Sequence, residues 1–272
     1  MKDSWWDLVN DLEAEMRVLD AVLASLDGPA WDTPSPAEGW TLRDCVVHLA
    51  ETDDSAAQIV ETWSAEVQDH HKLTASSRPA RPGQREGLLT AGQLRARLLD
   101  PAEVLEWRHG AGRRLIDALQ GLFGDERLRW AGRPMSARSF TSARILEHWS
   151  HGLDVLDTAG IQPVDTDRLR HVAHLGYITR EFSYRNRGLA PPESRLRLEL
   201  AGPSGERWTW GPEDAPDCIT GTAGDFCRVV AQRIHVDDTS LKADGPHARE
   251  FLTIAQAFAG PPGSGRQPKK AQ

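Results

Sequence analysis

Trp5, Leu8, Val9, Leu12, Met16, Leu19, Val22, Leu23 and Leu26 recur at mostly three- and four-residue steps, with charges between them. That period predicts an amphipathic helix of about 20 residues, stopped by Gly28-Pro29. The run 32–39 is turn-rich. Thr41 then reads as the N-cap of a second helix, with Asp44 three later. This helix carries Leu42, Cys45, Val46, Leu49 and Ala50 and runs to about residue 68. Residues 74–87, rich in Ser, Pro and Gly, read as a mobile loop. Helical stretches follow over 90–99 and 101–122, with Pro101 suited to a first turn. After Gly124-Asp125 a polar connection leads to Ser139, Thr141 or Ser142, any of which can cap a helix ending at Gly160. Four long helices are enough for a bundle.

Asp165-Thr166-Asp167 predicts the cap of one more helix, to about residue 186. The period then changes. Arg195–Leu200 alternates apolar and polar residues, as a half-buried strand does. Gly202–Gly205 is a turn, Glu206–Trp210 a second strand and Asp217–Thr220 a third. Thr222 caps a helix to about Arg233, Ser240–Ala243 forms a short strand, and His247–Phe258 a last helix. The expected organisation is a helix bundle over 1–160, a linking helix within 161–190, a small α+β domain over 191–259 and a disordered tail over 260–272. No internal repeat is evident.

The net charge of −8 over 272 residues argues against nucleic acid, which needs a basic surface. It gives no support for an anionic membrane as partner. No apolar run approaches the roughly 20 residues of a membrane helix, and the N-terminus lacks the apolar stretch of a signal peptide. Three scattered cysteines are not a disulfide framework. A cytoplasmic protein, monomer or homodimer, is the expectation. The ten Trp read as core, and no glycine-rich phosphate loop precedes a helix.

Chemistry concentrates in 143–154. Glu147 and His151, four apart on a helix, share one face. A carboxylate and an imidazole stacked this way can grip one divalent metal, although most such pairs are solvated neighbours. His48, on the second helix, is the candidate third ligand, because facing helices of a bundle lie about 8–10 Å apart. Two His and one Glu with an open fourth position form the donor set of a reactive zinc site. His148 is an alternative inward residue. Cys45 is a candidate fourth ligand or simply core. Asp154 is placed to accept an N–H from a ligand imidazole and orient it. His171 and His174 read as packing or surface residues before catalytic ones, and His70-His71 as solvated. The arginines of 179–187 are either an anion-binding lip or the basic end of an amphipathic helix.

At these residues the chain resembles the DinB/YfiT-like metal-binding bundles. Trp40–Leu49 is similar to their "W-T-x-x-D-x-x-x-H-L" helix start, and Glu147–Asp154 to their "E-x-x-x-H-x-x-D" helix. The chain is most similar to the mycothiol-dependent maleylpyruvate isomerase branch, in which a four-helix bundle precedes a small α+β domain of sterol-carrier type. Ile219–Arg233 resembles the "GxxxDLxxxxxxR" segment of that domain. The resemblance covers most of 1–258. It implies an α+β protein, zinc on His48, Glu147 and His151, and mycothiol as thiol cofactor. It also implies that Arg233 binds the anionic substrate or cofactor. The family's "GR" ending is Gln232-Arg233 here, and Arg228 competes for the role. The implied activity is isomerisation or S-transfer on an electrophilic, carboxylate-bearing small molecule. A zinc-water hydrolase or lyase without thiol, and a non-catalytic binder of apolar ligands with a structural metal, stand as alternatives.

Overall fold

The computed structural model describes residues 4–68, 90–130 and 133–269. The chain divides into two compact units, Met1–Gln162 and Pro163–Gln272. The loop expected over 74–87 and the His70-His71 pair lie outside the described residues.

The first unit is the helical one. Helix α1 (Trp5–Leu23) starts with a capping box between Ser4 and Asp7, and its buried side is the apolar stripe from Trp5 to Leu23. Trp31, fully buried, closes a short 3-10 turn over Gly28–Asp32. Helix α2 (Leu42–Gln68) opens as expected: Asp44 N donates to Thr41 Oγ1 at 3.3 Å, and Thr41 N to Asp44 Oδ2 at 2.9 Å. Short α3 (Ala91–Ala96) precedes α4 (Pro101–Gln120), which is capped by Asp100 and begins with Pro101. The long helices α1, α2, α4 and α5 (Ala137–Thr158) pack on one another, α2 against both α4 and α5, and α1 against α5 and α4.

Two local expectations give way here. The polar connection before α5 contains a hairpin, β1 (Arg127–Trp130) and β2 (Arg133–Ser136). The cap of α5 is Ser136, whose Oγ accepts from Ser139 N at 3.1 Å, ahead of all three expected caps. Thr141 and Ser142 are buried inside the helix instead.

The second unit holds the other helices and a four-stranded sheet of order β4-β3-β5-β6. Strands β3 (Leu196–Ala201) and β4 (Arg207–Trp210) form the expected hairpin. Strand β5 (Asp217–Thr222) pairs parallel to β3, and β6 (Lys242–Asp244) antiparallel to β5. The period-two face buries Leu196, Leu198, Leu200, Trp208 and Ile219. Helix α8 (Ala223–Val230) is capped by Thr222 as expected, and α9 (Ala248–Ile254) stops short of Phe258.

The single helix expected over 165–186 is two, α6 (Leu169–Ile178) and α7 (Arg180–Asn186), broken at Thr179. Its presumed caps are used elsewhere: Asp165 holds Arg228 with bonds of 2.7 and 2.8 Å, and Asp167 accepts from Ser204 N. Both helices belong to the second unit, so this segment is part of its body. The expected disordered tail is likewise placed over 260–269. Asn186 Nδ2 donates to Gly260 O, Arg187 Nη2 to Gly263 O, and Lys269 N to Asp238.

Gln232 ends α8 at φ 57°. Arg233 N bonds Arg228 O and Gln232 N bonds Val229 O, a Schellman closure that normally asks for glycine at this position. That is the physical content of the Gly-to-Gln departure. The Gln232 side chain compensates in part by donating to Ala255 O at 3.2 Å.

The resulting architecture is a helical bundle followed by a small α+β unit. No helix among the described residues is long and apolar enough to cross a membrane. Cys45, Cys218 and Cys227 form no disulfide.

Candidate metal centre

Helix α5 is covered on most sides: Phe140, Ile145, Leu146, Trp149, Leu153 and Val155 are all buried. Its less covered line is Ala143, Glu147 and His151, spaced by four. Across from it, His48 is the one partly open position in the buried run 42–50 of α2. The packing of α2 on α5 therefore brings the three predicted ligands together. Glu147 Oε2 lies 3.4 Å from His48 Nε2 and 3.8 Å from His151 Nε2. One ligand atom from each of the three falls within 4.8 Å of the others. Ligands about 2.0–2.2 Å from a tetrahedral zinc sit about 3.3 Å apart, so this donor set fits a zinc ion with little movement. The side chains of His48, Glu147 and His151 keep 18%, 26% and 11% exposure, which leaves the cluster reachable by a small molecule.

The surroundings prepare these donors. Burial works to raise the Glu147 pKa. The His48 hydrogen bond and the charges of His48, His151 and Arg144 outweigh it and hold the carboxyl well below its ordinary value. His151 Nδ1 is 3.1 Å from Asp154 Oδ2, and Asp154 is buried. A carboxylate only accepts, so Nδ1 carries a proton, and Nε2 is the ring atom that a metal would claim on losing its own proton. Asp154 thus reaches the cluster by way of His151. Cys45, His151 and Asp154 also each offer a ligand atom within 4.8 Å of the others. Cys45 is fully buried, with Sγ 3.4 Å from Ser35 Oγ.

Asp154→Asn separates these roles. An Asn that only orients His151 less well weakens zinc affinity about 10–100-fold, as loss of a supporting hydrogen bond does, read by competition with a chromophoric chelator. Affinity within twofold of the parent would remove Asp154 from the site.

Two features of the site escape spacing alone. Trp40 stacks on His151, with ring centroids 5.5 Å apart and planes at 21°, and sits 5.1 Å from His48. It forms an aromatic wall over both imidazoles. His148, the alternative inward residue, points elsewhere: its Nε2 is 2.9 Å from Asp53 Oδ2, and Arg144 Nη2 is 2.8 Å from Asp53 Oδ1. Arg144 Nη2 also donates to Thr52 Oγ1, which in turn donates to His48 O at 2.7 Å. A buried ionic cluster therefore ties the ligand-bearing stretches of α2 and α5. Its signal was present: Val46, Ala50, Asp53, Ala57 and Val60 form one buried seam of α2, with a carboxylate in the middle.

Other candidates take different roles. Arg233, in the second unit, is half-buried and its Nη1 donates to Ala231 O at 2.9 Å. Arg228 is engaged by Asp165. The arginines of 179–187 serve different partners: Arg180 pairs with Asp217, Arg185 with Glu181, and Arg187 donates to Gln256 and Gly263. Burial, then the charge of His171, lowers the His174 pKa.

Two relatives come from Mycobacterium tuberculosis, uncharacterized protein MT0041 of strain CDC 1551 / Oshkosh and uncharacterized protein Rv0036c of strain ATCC 25618 / H37Rv. Each is 42% identical over 261 residues, covering 95% of this chain and 97% of the relative. The fold is similar to the crystal structure of the mycothiol-dependent maleylpyruvate isomerase, with TM-score 0.60 at 17% identity over 88% of this chain and 92% of that one. A histidine-to-alanine mutant of the isomerase gives a TM-score of 0.59. The family model described as mycothiol maleylpyruvate isomerase N-terminal domain matches residues 12–156, a span that contains His48, Glu147, His151 and Asp154, and the chain belongs to that family.

Proposed function

We propose that this chain is a zinc-dependent enzyme that uses a small thiol such as mycothiol for isomerisation or S-transfer on an electrophilic, carboxylate-bearing small molecule. The convergence of His48, Glu147 and His151 carries this reading. Two imidazoles and one carboxylate, partly open to solvent, are the donors of a reactive zinc site and not of a closed structural one. When bound, zinc would supply a Lewis acid that keeps a thiol, ordinarily of pKa about 8.5, as thiolate near neutral pH. Membership of the family supports the thiol, and the isomerase of similar fold supports the reaction class.

The chain's own groups complete the chemistry. The Glu147 carboxyl is held well below its ordinary pKa by His48, His151 and Arg144 against the effect of burial, so it would contribute negative charge to the site. Asp154 holds the His151 proton on Nδ1, which fixes both tautomer and ring angle. Trp40 lies against the two imidazoles. The resemblance of Ile219–Arg233 to the family's second-domain segment supports assigning Arg233 to the substrate carboxylate or the anionic cofactor, for which a guanidinium fork is suited.

The test is turnover of maleylpyruvate by the zinc-loaded protein with and without mycothiol, following both isomer and thiol adduct. Thiol-dependent turnover is the expected result. Turnover unchanged without thiol rejects the thiol-dependent chemistry. Absence of turnover in the zinc-loaded protein with mycothiol present overturns the assignment to this chemistry.

A further inference from the structure

The second unit contains a cavity of about 190 Å³, about six water molecules' share of liquid volume. Arg187, His235 and Arg266 line it, and no Asp or Glu does. In a chain of net charge −8, a lining with three basic side chains and no acid is a local reversal of sign. Thr253 and Ser264 add hydroxyls, while Val229, Ile234 and Leu252 supply an apolar side.

Arg187 is the decisive group. It is half-buried, and its Nη1 and Nη2 donate only to neutral oxygens, Gln256 Oε1 at 3.4 Å and Gly263 O at 3.1 Å. A cation withdrawn from water without a counter-charge is costly, and an anion in the cavity offsets that cost. Burial alone lowers its pKa, which agrees with the missing counter-charge. His235 Nδ1 accepts from Asp237 N at 3.1 Å, with Asp237 Oδ2 3.4 Å away, which leaves Nε2–H as a donor. Asp237 itself is engaged by Arg249. The wall also includes Gln232, the non-glycine residue at positive φ among those described. Strained backbone of this kind collects at functional sites.

We infer that this cavity is a binding site for a short-chain organic carboxylate, its charged end on Arg187 and Arg266 and its methylenes against Val229, Ile234 and Leu252. None of His48, Glu147, His151 or Arg233 lines it, so the site stands independently of the proposed zinc chemistry. Its size and charge make it a poor host for a sterol-sized apolar ligand.

Titration calorimetry of the zinc-loaded protein with glutarate at low ionic strength tests this. Saturable binding at millimolar concentration or tighter is expected, with none for the neutral glutaramide. Arg187→Gln and Arg266→Gln should each weaken binding at least about tenfold, the order expected for losing one charge-assisted pair. If Arg187→Gln fails to fold, Arg266→Gln carries the test. His151→Ala should bind glutarate as the parent does; loss of binding there puts the anion on the metal and overturns the site. So does the absence of binding up to about 10 mM, or parental affinity in the folded arginine variants. Inorganic phosphate binding more tightly than glutarate would overturn the assignment to a carboxylate.

Discussion

Glu147→Gln and His151→Ala should each abolish stoichiometric zinc and, with it, thiol-dependent turnover. Each removes one of three donors that already lie within 4.8 Å of one another, with Glu147 Oε2 at 3.4 and 3.8 Å from the two imidazoles. Affinity must therefore fall by more than the roughly 10–100-fold that a lost supporting hydrogen bond costs. Glu147→Gln is the sharper of the two. It keeps the shape of the side chain while deleting a charge that His48, His151 and Arg144 hold ionised against the effect of burial. The measurement has a readout independent of activity. Zinc at a hundred times its dissociation constant stabilises a folded protein by about 2.7 kcal/mol. For a unit of this size that is about 5–10 °C in Tm. The parent should show that rise and both variants should show none. Full zinc content in either variant would sink the site, and the enzyme reading with it.

What could be read in the chain was local. The α1 stripe, the Thr41–Asp44 capping box and the β3–β4 hairpin announce themselves through period and turn residues within a few positions of each other. The candidate ligands were legible for the same reason, since Glu147 and His151 are one helical turn apart. The pairing with His48 added a resemblance to what a bundle allows. The losses have the opposite cause. The β1–β2 hairpin has four residues per strand, and β1 buries only Leu128, too few for alternation to register. The use of Asp165 away from the helix start and the placing of 260–269 come from partners far away in sequence, Asp165 with Arg228 and Arg187 with Gly263. Trp40 looked like core because its stacking on His48 and His151 depends on how α2 meets α5. Asp53 is the residue that pattern should have flagged, a lone carboxylate in an apolar seam.

Asp53→Ala should be the most destabilising single change in the first unit. Asp53, Arg144 and His148 are all at most 2% exposed. Asp53 accepts from Arg144 at 2.8 Å and lies 2.9 Å from His148, while His148 Nδ1 already lacks a hydrogen-bond partner. Removing one member of a buried ionic cluster strands the others, at a cost of about 3–5 kcal/mol, or about 10 °C in Tm. Burial raises the Asp53 pKa, but His148 and Arg144 outweigh it and the net shift is downward. A depressed carboxyl pKa stabilises the fold above the unfolded value of about 3.9, and that contribution is lost as pH falls below it. The variant should therefore lose the corresponding part of the parent's acid limb. Replacing all three residues with Leu, Met and Phe should recover most of the lost Tm, because apolar packing substitutes well for a buried ionic cluster. It should not recover zinc affinity in full. Arg144 reaches His48 through Thr52, and that link between the ligand-bearing helices goes with the cluster. A single variant within about 2 °C of the parent would show that the cluster is neither structural nor positioning.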